Sequence, residues 1–219
     1  IRCDMKKIVI ILVLLLLVSC SSPVEETAEE VVEDNIDEVV EIIESNVEVN
    51  EMGKKVVMIV ASDQFRDEEL LEPMDVLENA GVEVVVASKD TDMATGMLGA
   101  IVSVNLDYSE IIVDDYDALV FIGGTGANMF FNDEKAWSLA NEAYSKNKLV
   151  GAICIAPSIL ANAGLLEGKK ATSYPSEESN LANNGAQYTG ERVTVDENII
   201  TGSGPEAARE FGEGILRLI

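Results

Sequence analysis

The sequence has 219 residues, a length that suffices for one domain with a substantial hydrophobic core. Its formal net charge of −25 makes a surface that repels phosphate backbones, which argues against nucleic acid as a partner. It contains no histidine and only three cysteines, Cys3, Cys20 and Cys154, so no metal site is expected, because a zinc ion would need several carboxylates brought together.

Residues 1–20 have the features of a leader and signal peptide. Two lysines, Lys6 and Lys7, precede the apolar run 8–18, which is too short to span a bilayer. The run closes with Leu-Val-Ser-Cys, which resembles the bacterial lipobox, whose cysteine, here Cys20, is lipidated. The alternative, a buried apolar helix with an incidental cysteine, accounts less well for the lysines. We therefore expect an exported protein, lipid-anchored at Cys20 to the outer face of the cell membrane or its periplasmic side.

Residues 21–53 form an acidic segment with twelve acidic residues and no basic one. Apolar residues recur in it at helical spacing, but neighbouring like charges would repel each other on a helix. We expect a tether of partial helicity that spaces the following domain from the membrane.

The remaining residues, 54–219, alternate between short apolar runs and amphipathic stretches. In chain order, the pattern predicts a strand over 56–61, a helix over 67–80, a strand over 82–87, a strand over 118–123, a helix over 133–146, a strand over 149–153, a short strand over 171–173, a helix over 177–184, a hairpin over 192–201 and a helix over 205–218. Continuous apolar strands that alternate with helices indicate an α/β fold with a mostly parallel sheet, covered by helices on both faces.

Ligands of such open sheets bind beyond the carboxyl ends of the strands, and Cys154 lies there, between a predicted strand and a predicted helix start at Pro157. A sharp strand-to-helix turn would present the thiol above the sheet, and the helix N-terminus would favour the thiolate. The alternative is a buried structural cysteine that acts as a small hydrophobe. This segment alone does not decide between the two.

Two further segments lie at the same edge of the predicted sheet. The glycine-rich turn that begins with Gly123 and Gly124 would let backbone N–H groups approach a ligand and hold an oxyanion, although a simple tight turn needs the same glycines. The acidic run in "RDEELLEP" opens the first helix, where carboxylates commonly act as caps. One of its carboxyl groups, if directed at the sheet, could share a proton with the thiol, which is work often given to histidine.

The segments "KKVVMIVASDQFRDEELLEPMDVLENAGVEVVVAS", "DALVFIGG", "GAICIAPSILANAGLLEGKKATSYP" and "ITGSGPEAAREFG" together resemble the ThiJ/PfpI family over residues 54–219. The resemblance implies a flavodoxin-like three-layer α/β sandwich that forms a homodimer. It also implies a catalytic cysteine at Cys154, a catalytic carboxylate at Glu69, and oxyanion-holding backbone N–H groups at Gly123, Gly124 and Ile155. No cofactor is implied.

The sequence departs from the family where members with peptidase or glyoxalase activity often carry histidine, because Ile155 and Ser173 stand at those places. A Cys–His dyad is therefore excluded within this sequence, which argues against a peptidase. The leading hypothesis is a cofactor-free enzyme for small reactive carbonyls such as methylglyoxal, glyoxalase-like or deglycase-like. The alternatives are a thiol redox sensor or stress-response binding module that uses the same cysteine, and an interaction domain in which the cysteine has no role.

Overall fold

The computed structural model describes residues 53–219, which form one compact unit. The predicted signal peptide, the lipidation site at Cys20 and nearly all of the acidic segment 21–53 lie outside the described residues. Within the described residues, no helix is both long enough and apolar enough to cross a membrane.

A seven-stranded sheet forms the centre of the unit. In spatial order its strands are β11, β12, β8, β7, β1, β3 and β6, and every neighbouring pair is parallel except β11 and β12, which are antiparallel. Their bounds are β1 Lys55–Ile59, β3 Glu83–Ser88, β6 Leu106–Asp107, β7 Ala118–Phe121, β8 Leu149–Ile153, β11 Val193–Asp196 and β12 Ile199–Gly202. Because β1, β7 and β8 are buried on both faces, their sequences are continuously apolar.

Five α-helices cover the two faces of this sheet: α1 Asp67–Asn79, α2 Glu134–Ser145, α3 Pro157–Asn162, α4 Glu178–Asn183 and α5 Ala208–Leu218. Side chains of α1 and α5, such as Leu70 and Phe211, pack on one face of the sheet. Side chains of α2, α3 and α4, such as Leu139 and Ile159, pack on the other. The expected fold class, a three-layer α/β sandwich with a mostly parallel central sheet, is confirmed.

The structure also contains elements that the hydrophobic pattern does not indicate. Three short strands form a separate sheet in the order β2 (Asp63–Phe65), β4 (Met93–Gly96) and β5 (Ile101–Ser103). The predicted short strand over 171–173 is observed as β9 (Lys170–Ala171), and it pairs with β10 (Gln187–Tyr188), which the pattern did not indicate. The last predicted helix begins with one 3₁₀ turn, Pro205–Ala207, before α5.

Asp67 joins the three-stranded sheet to the start of α1. Its buried carboxylate accepts hydrogen bonds from the backbone N–H groups of Leu98 (2.8 Å) and Ala100 (2.7 Å). A Cβ at Gly96 would lie only 2.5 Å from this carboxylate. The turn after β4, which carries Met97, is therefore fixed against the N-terminus of α1.

Candidate active site around Cys154

Cys154 lies on the sharp turn between β8 and α3. Its φ of +64° is in the left-handed region, which costs a residue other than glycine about 1–3 kcal/mol. Neighbouring segments hold this conformation, because the Cys154 N–H donates to Gly202 O (2.9 Å) and the Cys154 carbonyl accepts from Tyr174 N–H (2.7 Å). Both backbone groups of the cysteine are therefore bonded to other parts of the chain.

Glu69 lies in the first turn of α1 with its side chain completely buried. Neither carboxyl oxygen has a hydrogen-bond partner of ordinary geometry among the described residues. The polar groups that adjoin it are the Cys154 thiol and the N–H of Gly123. Since a buried polar group without a partner is costly, the site favours the neutral carboxylic acid.

Gly123 lies against both of these side chains, those of Cys154 and Glu69. A Cβ at this position would lie 2.5 Å from Glu69 Oε2 and 2.5 Å from Cys154 Cβ, closer than such atoms can approach. The carboxyl group and the cysteine side chain therefore meet across a glycine that leaves no room for a methyl group. The structure brings together Cys154, Glu69 and Gly123 from three separate segments of the chain.

The pKa values of the pair are both shifted upwards. Burial raises the pKa of Glu69 to about 7, against the opposing effects of the Cys154 side chain and the positive charge of Arg66. Burial, followed by the negative charge of Glu69, raises the pKa of the Cys154 thiol to about 12, while the N–H groups of Gly124 and Ile155 act to lower it. Near neutral pH, the neutral and the ionised forms of the Glu69 carboxyl are therefore both populated.

The start of the next helix acts on the thiol in the expected direction, because the N–H of Ile155 lowers the pKa of Cys154, but the net shift of that pKa is upwards. The helix that follows, α3, has six residues, so it supplies a weak dipole, and burial of the sulfur outweighs it. When Glu69 is protonated, its charge no longer opposes the thiolate. The ionisation of Cys154 therefore depends on the protonation of Glu69.

The glycine turn supplies backbone N–H groups at two different points. The N–H groups of Gly124 and Ile155 act on the sulfur by lowering the pKa of the Cys154 thiol, whereas the N–H of Gly123 lowers the pKa of Glu69. Gly124 has a φ of +94°, and a Cβ there would lie 2.3 Å from Arg66 N, so only glycine fits. The family resemblance implies that both glycine N–H groups face the thiol; of the two, the N–H of Gly124 lowers the pKa of the thiol and that of Gly123 lowers the pKa of Glu69.

A cavity of about 720 Å³ opens above the pair, and Cys154, 8% exposed, lies in its wall. Ser173, which occupies a family histidine position, also lines it. Other lining residues come from several separate segments of the chain, and the sequence analysis did not name them as site residues: Arg66, Met97, Tyr174, Tyr188 and Glu206. No regular spacing links these residues, so the sequence offered no signal for them.

The sequence did contain a signal for Glu69. This residue stands four positions before Pro73 and seven before Val76, both of which are buried on α1. Helical periodicity therefore places Glu69 on the core-facing side, while Glu68 forms an ion pair with Arg66 at the surface. Within residues 53–219 no group of three or more cysteine, aspartate and glutamate side chains could hold a metal ion.

The fold and this site define a class of protein: a flavodoxin-like α/β protein with a cysteine on the strand-to-helix turn and a buried glutamate beside it. Residues 54–218 match the DJ-1/PfpI family, and the chain belongs to that family.

Relatives and solved structures agree with this assignment. An uncharacterized protein of Methanocaldococcus jannaschii is 44% identical over 173 residues, which are 78% of this chain and 84% of the relative. A deglycase of Pyrococcus abyssi is 38% identical over 149 residues, 68% of this chain and 90% of the relative. The crystal structure of a ThiJ/PfpI domain protein from Brachyspira murdochii superposes with a TM-score of 0.74 at 30% identity, covering 76% of this chain and 97% of the other.

Proposed function

We propose that this protein is a cysteine-dependent, cofactor-free enzyme that acts on small reactive carbonyls such as methylglyoxal, in a glyoxalase-like or deglycase-like reaction. The observation that carries the proposal is the contact of the buried Glu69 carboxyl with the Cys154 side chain across Gly123, at the wall of a cavity. The name deglycase of the Pyrococcus abyssi relative supports the same substrate class.

In the first step, Cys154 Sγ bonds to the aldehyde carbon of methylglyoxal while ionised Glu69 takes the thiol proton. Because the pKa of the thiol lies well above that of Glu69, proton transfer accompanies formation of the C–S bond. The aldehyde oxygen becomes an oxyanion, which the N–H groups of Gly124 and Ile155 stabilise. It then accepts the proton from Glu69, which gives a hemithioacetal.

In the second step, Glu69 removes the hydrogen of the former aldehyde carbon as a proton, and the ketone oxygen gains a proton to give an enediol. Glu69 then delivers its proton to the former ketone carbon, while the hydroxyl group of the former aldehyde carbon loses its proton and becomes the thioester carbonyl, so that no net proton is gained or lost. The product is a thioester with a hydroxyl group on the neighbouring carbon. Water hydrolyses the thioester to lactate and restores the thiol. Methylglyoxal and one water are consumed for each lactate formed, and no electrons are exchanged with an external carrier.

The test is lactate formation from methylglyoxal by the full chain, compared with variants. Cys154→Ser and Glu69→Gln are expected to abolish turnover. Glu72→Gln, on the same helix and outside the cavity lining, is the matched control and should retain wild-type rates. Absence of turnover in the wild type, or full turnover in Cys154→Ser, would reject the proposal.

A second candidate function is a thiol redox sensor or stress-response binding module. It is favoured by one observation: the unpartnered Glu69 carboxyl, beside a sulfur that reaches the cavity, can donate a hydrogen bond to an oxidised sulfur. Mild peroxide should then add one or two oxygen atoms to Cys154, seen by peptide mass spectrometry, in a protein without turnover. Absence of oxygen addition at Cys154 would reject the sensor role, and turnover of methylglyoxal at wild-type level after complete oxidation would reject the catalytic role of the thiol.

We also propose that the protein is exported, is lipid-anchored through Cys20, and forms a homodimer. The support is the signal-like sequence of residues 1–20 and the family resemblance. Cys20→Ala should move the protein from the membrane fraction to the soluble fraction, whereas Cys3→Ala should not. Sedimentation of the purified Cys20→Ala protein tests for the dimer.

A further inference from the structure

Arg66 places a positive charge at the wall of the catalytic cavity. It immediately precedes α1 and lines the cavity that contains Cys154. The other charged residues that line this cavity, Glu69 and Glu206, are acidic. Among the described residues that line the cavity, Arg66 is therefore the sole basic one.

The backbone of Arg66 is fixed against the glycine turn. Its N–H donates to Gly123 O (3.0 Å), and the approach to Gly124 is too close for a Cβ. The pKa of Arg66 is raised, first by its bond to Glu68 and further by negative charge at Glu69 and Cys154. The guanidinium is thus close enough to the catalytic pair for their charges to interact.

The guanidinium group keeps donors available for a ligand. Its Nε and Nη2 atoms donate to the two carboxylate oxygens of Glu68, at 2.7 and 3.0 Å. Its Nη1 amino group has no hydrogen-bond partner within residues 53–219, and the side chain is 28% exposed. Among the described residues, the side chain forms its hydrogen bonds with Glu68, two positions along the chain. Two N–H groups of Nη1 and one of Nη2 remain for a ligand.

We propose that Arg66 is a specificity-determining residue that recognises the carboxylate of small 2-hydroxy acids and similar anions bound beside Cys154. The inference rests on the proposed function in one respect, because hydrolysis of the thioester creates such a carboxylate at the sulfur. Glu68 engages the guanidinium through Nε and Nη2, so the Nη1 N–H groups can still donate directional hydrogen bonds to a carboxylate. Glu206 lines the same cavity and offers acceptors only, so it cannot bind the carboxylate in place of Arg66.

The test compares two alkylating reagents of nearly the same shape, anionic iodoacetate and neutral iodoacetamide. The rate of alkylation of Cys154 in the full chain is followed by mass spectrometry of the Cys154 peptide. The ratio of the two rates cancels any change in the thiolate fraction, because both reagents attack the thiolate. Arg66→Gln should lower the ratio of iodoacetate to iodoacetamide about tenfold, the effect of one charge-assisted hydrogen bond.

Three further variants complete the design. Arg66→Lys should restore part of the ratio, and Glu68→Gln, which frees the guanidinium, should raise it above wild type. Arg209→Gln, an exposed arginine on α5, is the matched control and should leave it unchanged. A ratio in Arg66→Gln equal to that of wild type would overturn the proposal.

Lactate and its neutral analogue lactamide give a second readout. Lactate should protect Cys154 of the wild type from iodoacetamide, lactamide should not, and Arg66→Gln should lose the protection. Equal protection by both compounds would overturn the proposal. If methylglyoxal gives no lactate while the reagent ratio falls in Arg66→Gln, recognition of carboxylates by Arg66 is supported and the proposed turnover is rejected.

Discussion

Gly123→Ala should separate the two halves of the candidate site. The new methyl group would lie 2.5 Å from Glu69 Oε2, 2.5 Å from Cys154 Cβ and 2.7 Å from Ile153 O, so at least two of these groups must move. Overpacking of this kind costs about 1–3 kcal/mol. A domain of this size loses about 2–4 °C of Tm for each kcal/mol. Displacement of a reacting group by about 1 Å lowers the rate about 100-fold.

The assay combines thermal unfolding with lactate formation from methylglyoxal. Gly151→Ala, in β8, is the control: its Cβ would meet Phe211 and Val120 at 3.2 Å, away from the catalytic pair. We expect Gly151→Ala to lose stability and keep turnover, and Gly123→Ala to lose both. A Gly123→Ala protein that forms lactate at the wild-type rate would refute the requirement for contact between Glu69 and Cys154.

The pKa of Glu69 is about 7 in the folded protein against 4.5 ordinarily, and this difference gives a second prediction. Below pH 4.5 the buried carboxyl group is neutral and costs no stability through its charge. As the pH rises from 4.5 through 7, the free energy of unfolding should fall by about 3 kcal/mol. Glu69→Gln should remove this loss. Urea unfolding should therefore show that the free energy of unfolding of the variant, relative to wild type, is higher at pH 8 than at pH 4. The same difference between variant and wild type at both pH values would contradict the assigned protonation. Asp67→Ala should lower the free energy of unfolding by about 1–3 kcal/mol, because the N–H groups of Leu98 and Ala100 lose their acceptor. Asp75 is exposed, so Asp75→Ala serves as the control in the same urea titration and should change the free energy of unfolding by less than about 0.5 kcal/mol. Equal effects of the two variants would refute the role of Asp67.

The sequence was informative where burial imposes a regular pattern. Strands β1, β7 and β8 are buried on both faces, so their apolar runs located them closely. The strands of the separate sheet, such as Asp63–Phe65, are short and carry exposed polar residues, and their pairing depends on distant segments. The position of Cys154 followed from the strand before it, whereas the raised pKa of its thiol depends on burial, which is a tertiary property.

The two backbone bonds of Cys154 have a consequence for biosynthesis. The backbone bonds of the cysteine form only when Tyr174 and Gly202 have been synthesised and have reached it, and Gly202 follows Cys154 by 48 positions. A nascent polypeptide still on the ribosome, or a product truncated before residue 202, would contain the cysteine without the geometry that makes it useful. The arrangement of the thiol with Glu69 and the cavity is therefore assembled only after residue 202 has been synthesised.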